Sequence, residues 1–133
     1  MADVDSVTLQ GSSSVLVVSD IESTISWYRT NLGFNADPFP EAPPYVFCIL
    51  SKDGVDIMLQ RLAGYQKPEL YSKRPGGVWD VYLRVKGVKE FAERVSKLPE
   101  VMVVEPLRRQ PYGQTEIVIR DPNGYVLVFA EAS

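Results

Sequence analysis

The sequence predicts an α+β fold built from two βαβββ modules, and three observations carry that expectation. Residues 116–119 and 125–129 are β-rich apolar runs around Asp121-Pro122-Asn123-Gly124, where Pro122 presets φ and Gly124 tolerates positive φ. The same plan recurs more weakly earlier, with residues 47–50 and 55–60 flanking Ser51-Lys52-Asp53-Gly54. Each hairpin follows a β-branched run and an amphipathic helical pattern, at matching offsets. Val18 to Val85 and Ile21 to Val88 are both 67 residues apart, and Gly54 to Gly124 is 70, a difference the loop after the helix absorbs.

Taken in order, residues 1–12 are small and polar and read as a loose leader with a short edge strand at 7–9. Residues 13–18 read as the first strand, with Leu16 and Val18 on one face and Val15 and Val17 on the other. Ser19-Asp20-Ile21-Glu22 has the pattern of a capping box, Ser19 or Asp20 supplying the cap and Glu22 reaching back. The helix runs to Leu32, with Ile21, Ile25, Tyr28 and Leu32 on one face, and Gly33 ends it in the left-handed conformation. Phe34 opens a short strand, a proline-rich loop spans 37–44, and residues 45–50 and 55–60 form the first hairpin. A linker at 61–77 contains Gly64, Pro68, Pro75, Gly76 and Gly77. A strand at 78–85, a helix at 88–98 with Val88, Phe91, Ala92 and Val95 inward, a strand at 101–105 and a loop at 106–113 precede the last hairpin. One domain over residues 1–133 is expected, with module one at about 13–60, the linker at 61–77 and module two at about 78–131.

Composition narrows the function. Fourteen basic and seventeen acidic side chains leave a formal charge of −3 with no charge run, so no nucleic-acid partner is expected. No apolar stretch approaches the ~20 residues of a membrane span, and Met-Ala-Asp-Val-Asp-Ser at the start has no signal-peptide character. Cys48 is the single cysteine, which excludes an intrachain disulfide and fits a cytoplasmic location. The chain has no histidine. That removes Ser-His and Cys-His nucleophile pairs, imidazole bases and His-ligated metals together.

Two segments resemble a known family. Residues 15–34, Val-Leu-Val-Val-Ser-Asp-Ile-Glu-Ser-Thr-Ile-Ser-Trp-Tyr-Arg-Thr-Asn-Leu-Gly-Phe, and 121–129, Asp-Pro-Asn-Gly-Tyr-Val-Leu-Val-Phe, are similar to the opening strand and helix and the closing hairpin of the vicinal oxygen chelate superfamily. That superfamily groups glyoxalase I, extradiol dioxygenases and bleomycin-resistance proteins. The resemblance implies that the modules form a half-open curved mixed sheet around a cleft. It also implies a divalent metal in the enzyme members, held at four places on the first and last strands of the modules. Here those places hold Ser13, Met58, Asp80 and Val128. One carboxylate, one hydroxyl and two apolar side chains do not make a tight divalent site, so neither metal nor other cofactor is expected.

Strand alternation puts Asp80, Tyr82 and Arg84 on the face carrying the ligand place, and Val81, Leu83 and Val85 toward the helix. A ligand-anchoring row would use Asp80 for a cation and Arg84 for a carboxylate or phosphate; the alternative is that Asp80 and Arg84 pair with each other or with a second chain. Ser13, Met58, Asp80, Tyr82, Arg84 and Val128 are therefore the expected ligand-binding residues, Met58 and Val128 forming an apolar floor or else packed core. Trp79, Phe47, Tyr45, Tyr112 and Tyr125 are candidates to stack on a planar ligand or to pack, while Trp27 and Tyr28 read as core. Glu116 reads as a paired or solvent-facing glutamate, or a general base if the cleft buries it. Residues 67–74 read as an exposed linker or a lid.

Three function classes stay open: a metal-free protein that sequesters a small molecule, a lyase, isomerase or dioxygenase-type enzyme of the same superfamily, and a subunit with a vestigial cleft. A homodimer is implied by the resemblance.

Overall fold

Repeated local signals produce a repeated fold. The computed structural model describes residues 4–133 and arranges them as β1 (Ser14–Val18), α1 (Ile21–Leu32), β2 (Asn35–Phe39), β3 (Phe47–Lys52) and β4 (Val55–Arg61), then β5 (Val81–Arg84), α2 (Val88–Val95), β6 (Met102–Arg109), β7 (Gln114–Arg120) and β8 (Val126–Ala132). The strands form two four-stranded mixed sheets of the same topology, β1-β4-β3-β2 and β5-β8-β7-β6. In each, the first strand lies parallel to the last and the other pairs are antiparallel. The registers carry the repeat: Leu16 faces Leu59 and Leu83 faces Phe129, offsets of 67 and 70 again. The architecture is α+β, as the sequence predicts.

Capping sets the helix bounds. Asp20, with extended backbone, caps α1 by accepting from the Ser23 amide at 3.2 Å, worth about 1 kcal/mol. Glu22 takes no part in a capping box, because the cap is one residue later than Ser19 and the third helical position is Ser23. Gly33 at φ 74° closes the helix, its N–H donating to the Arg29 carbonyl and that of Phe34 to the Tyr28 carbonyl. α2 ends at Val95, short of residue 98, and buries Val88, Ala92 and Val95.

Four expectations change. Residues 7–9 form no strand, and Leu9 is 91% exposed; residues 1–3 of the expected leader lie outside the described residues. β5 starts only at Val81, three residues later than expected. The proline-rich stretch begins as strand, since β2 includes Pro38, and β6 runs through Pro106 to Arg109. Both strands lie at sheet edges, where a proline's missing N–H costs no ladder bond, and β6 also slips register on either side of Glu105.

One hydrophobic core unites the modules, drawing Leu16, Tyr28, Leu32, Leu50 and Leu59 from one and Leu83, Val95, Ile117, Leu127 and Phe129 from the other. Polar clamps lock them. The fully buried Tyr28 donates its hydroxyl to Asp121 at 2.7 Å, and Asp121 also accepts from the Asn123 and Tyr125 amides at 2.8 and 2.9 Å. Asn123 donates to Thr24 at 3.0 Å. The Asp-Pro-Asn-Gly turn is thus docked on α1. Trp27 reaches the Glu100 carbonyl at 2.9 Å, and the Tyr125 hydroxyl bridges the Val17 N–H and C=O at 3.0 and 2.6 Å. Tyr125 is therefore core, with no stacking face for a ligand. Among the described residues no helix is long and apolar enough to cross a membrane.

Candidate binding site

The face of the second sheet away from the helices carries the chemistry. Alternation brings Tyr82 from β5, Val126 and Val128 from β8, and Glu116 and Val118 from β7 to that face, with Tyr82 beside Val128 and Val128 beside Val118. The three valines form a small packed cluster with Tyr71, Tyr82 and Val104, and Val128 has no exposed surface. The cover comes from the connection between modules. Tyr71 lies where a Cβ at Gly77 would be, so only glycine, here at φ 89°, lets this strap close down. Glu69 anchors it by accepting from the Ser72 amide and hydroxyl at 3.2 and 2.7 Å, and Arg120 approaches Glu69 at 3.7 Å and the Tyr71 ring at 5.9 Å. Those Ser72 hydrogen bonds hold the Glu69 carboxyl below its ordinary value.

Beside the strap a cleft of about 380 Å³ opens, bordered by Trp79, Tyr112, Arg74, Arg108, Glu105 and Glu116. Its size suits a small organic molecule. Glu116 has no exposed surface, yet its partners are two neutral phenols: Tyr82 donates to Oε2 and Tyr112 to Oε1, each at 2.6 Å. Short bonds to both oxygens satisfy a buried carboxylate that, among the described residues, forms no ion pair. Desolvation, followed by the hydrogen bond to Glu116, pushes Tyr82 up to about 12 and raises Tyr112 by the same causes. Trp79 is 40% exposed and packs at 5.5 Å from the Tyr82 ring, and Tyr112 is 56% exposed. The cleft so offers two aromatic faces, two guanidinium groups and a fixed carboxylate.

The six residues expected from the sequence do not converge. Tyr82 adjoins the cleft through Glu116, and Val128 lies beneath the Tyr71 strap rather than forming an open floor. Ser13 and the half-buried Met58 line a different hollow, over the first sheet beside residues 10–12 and 54–56. Asp80 does not pair with Arg84: its Oδ2 accepts from the Val126 amide at 2.9 Å and meets Lys67 at 3.3 Å. Arg84 leans over the Tyr82 ring at 5.5 Å and borders a third cavity. Lys67 corrects the expectation of an exposed linker: its side chain is only 6% exposed and its ammonium lies 5.5 Å from the Tyr125 ring. A lysine among prolines and glycines gives no local sign of burial, and nothing in the sequence singled out Glu105 and Arg108. Glu116 carried a sign, as the one acid in the apolar run 116–119.

A divalent metal does not fit the four family places. Ser13 offers an exposed hydroxyl, Met58 a thioether and Val128 no donor, while Asp80 is engaged by an amide and an ammonium. Among the described residues no three His, Cys, Asp or Glu side chains cluster to hold an ion. Cys48 is buried, and burial pushes its thiol up, which suits packing rather than nucleophilic chemistry.

Comparison with known proteins agrees with this fold. The model of the Glyoxalase/Bleomycin resistance protein/Dioxygenase superfamily matches residues 10–129. No curated protein matches the sequence significantly. Among solved structures, TioX from Micromonospora sp. ML1 superposes with a TM-score of 0.71 at 21% identity, over 93% of this chain and 97% of that one. A glyoxalase-related enzyme from Clostridium phytofermentans gives 0.71 at 14% identity, over 96% and 98%. The bleomycin-binding protein of bleomycin-producing Streptomyces verticillus, complexed with copper(II)-bleomycin, gives 0.68 at 18% identity, over 96% and 99%.

Proposed function

This chain belongs to the glyoxalase/bleomycin resistance protein/dioxygenase superfamily, and within it we propose a metal-free protein that binds a small organic molecule in the cleft over its second sheet. The observation that carries the reading is the donor set: the four places where enzyme members hold a metal offer Ser13, Met58, Asp80 and Val128 here. Binding needs shape, aromatic surface and a few fixed polar groups, and the cleft has Trp79, Tyr112, Arg108 and Glu116. The Streptomyces verticillus protein, complexed with copper(II)-bleomycin, supports small-molecule binding on this fold. Tyr82 positions Glu116 for the ligand, and Val128 becomes a contact when Tyr71 lifts. On the first sheet, Val15 is 50% exposed beside Met58. A second copy of the chain covers that surface, bringing Ser13 and Met58 into a shared site, and the protein works in the cytoplasm.

A thermal-melt screen of the metal-stripped protein tests this, with divalent metals set beside cationic, aromatic and carboxylate compounds and glycopeptide antibiotics. A ligand at 100 times its Kd adds about 2.7 kcal/mol. The expected result is a rise with an organic compound, lost in Trp79→Ala and Tyr112→Ala, and none with metals. A stoichiometric rise with Zn²⁺, Ni²⁺, Mn²⁺ or Fe²⁺ would sink the metal-free reading. Light scattering of the intact chain tests the dimer, and a monomer at all concentrations refutes it.

Glu116 favours a second reading. A buried carboxylate between two phenols is an acid–base centre, suited to a lyase or isomerase acting on an oxygenated substrate. Turnover abolished in Glu116→Gln, with folding intact, would support it.

A further inference from the structure

The third cavity, of about 430 Å³, lies where the end of α1, the β3–β4 turn, the end of β5 and α2 meet. It shares no lining residue with the cleft over the second sheet. Its floor is apolar, made by Leu32, Phe34, Leu83, Phe91 and Phe129, with the last two rings 4.3 Å apart. Its rim carries Lys52, Arg84, Lys86 and Arg94 against the single carboxylate of Asp53. An excess of three positive charges thus gathers at one mouth, on a chain whose net charge is −3.

Little neutralises these cations. Lys52 approaches Asp53 at 3.7 Å, an exposed pair of small worth. Arg94 donates to the Asn31 carbonyl at 3.0 Å and Arg84 leans on the Tyr82 ring, but among the described residues no carboxylate pairs with Arg84, Lys86 or Arg94. Like charges around an apolar hollow repel one another until an anion sits between them, and the packed, tilted phenylalanine rings offer its body a dry surface. Arg84, which the sequence suggests as a carboxylate clamp, lines this cavity and not the cleft.

We propose that this cavity binds a soluble amphipathic carboxylate, its head held by Arg84 and Lys86 and its aliphatic or aromatic body laid on Phe91 and Phe129. The site is independent of the cleft ligand. Calorimetric titration of the full chain with decanoate and 1-naphthoate tests it, with decanol, decyltrimethylammonium and acetate as controls. Both anions bind, the controls bind at least tenfold more weakly, and added salt weakens the anions because the rim charges are exposed to screening. Arg84→Glu combined with Lys86→Glu, at exposed positions, weakens decanoate at least tenfold, about 1.4 kcal/mol, with the melting temperature retained. Tyr112→Ala leaves decanoate binding intact, whether or not the cleft reading survives. Decanol binding as tightly as decanoate, no heat with either anion, or unchanged binding in the double variant each overturns the proposal. Phosphatidylglycerol vesicles form a parallel arm: sedimentation with vesicles, without binding of free decanoate, assigns the patch to a membrane surface and overturns it too.

Discussion

Tyr82 and Tyr112 donate the same hydrogen bond to the same carboxylate, at the same 2.6 Å, yet their removal should cost different amounts. Glu116 has no exposed surface. In Tyr82→Phe, Oε2 loses its donor inside the sheet face, and a buried hydrogen bond to a charged acceptor is worth about 1.5–3 kcal/mol. In Tyr112→Phe, the lost hydroxyl belongs to a ring 56% exposed, so water replaces it at a cost of about 0.5 kcal/mol. The expected losses are about 2 and about 0.5 kcal/mol, or roughly 6–10 °C and roughly 2 °C in melting temperature for a domain of this size. Urea and thermal unfolding at pH 7, followed by circular dichroism, measure both. Costs equal within about 0.5 kcal/mol, or a larger cost for Tyr112→Phe, refute the picture of a carboxylate sealed on the Tyr82 side. Alkali gives a second check. The phenol of Tyr82 is raised from 10.0 to about 12 in the fold. A raised value means stability that is complete below pH 10 and lost as pH climbs through 12. The gap between wild type and Tyr82→Phe therefore narrows over that window, and a constant gap counts against the assignment.

Three further outcomes are expected. Lys67→Met leaves Asp80 with only the Val126 amide and costs about 2 kcal/mol; Asp80→Asn on that background adds less than it does alone, by at least about 1 kcal/mol in a double-mutant cycle. Gly77→Ala places a methyl in the Tyr71 ring at a positive φ, costing about 1–2 kcal/mol and releasing the strap, seen as faster amide exchange at residues 69–77. Asp121→Ala strips the acceptor from Tyr28, Asn123 and Tyr125 and costs about 2–4 kcal/mol in urea unfolding, whereas Asp121→Asn costs under about 1 kcal/mol at pH 7. Burial, outweighing its hydrogen bonds, raises the Asp121 carboxyl above its ordinary 3.8. That stability is present below pH 3.8 and lost as pH rises, so acidification favours wild type over Asp121→Asn.

Much of the fold was legible because its signals are local. The Asp-Pro-Asn-Gly turn, the Asp20 cap and Gly33 each act within four residues, and the 67- and 70-residue offsets reappear in the strand registers. Pro38 and Pro106 misled, since a proline reads as loop unless its neighbours in the sheet are known. The candidate site was legible only as faces. Alternation placed Tyr82 and Val128 correctly on the side away from the helices, but could not say that Tyr71 covers Val128 or that Asp80 is held by Lys67.

The sequence by itself determined the repeat, the bounds of the first helix, the inward faces and the loss of histidine chemistry, because periodicity and residue type are properties of short stretches. Only the tertiary structure decided where Glu116 finds its phenols, which segment roofs the second sheet, and how Lys52, Arg84, Lys86 and Arg94 come to share one rim. Those outcomes depend on contacts between residues far apart in the chain, set by how two modules bury one common core, and no local pattern encodes that geometry.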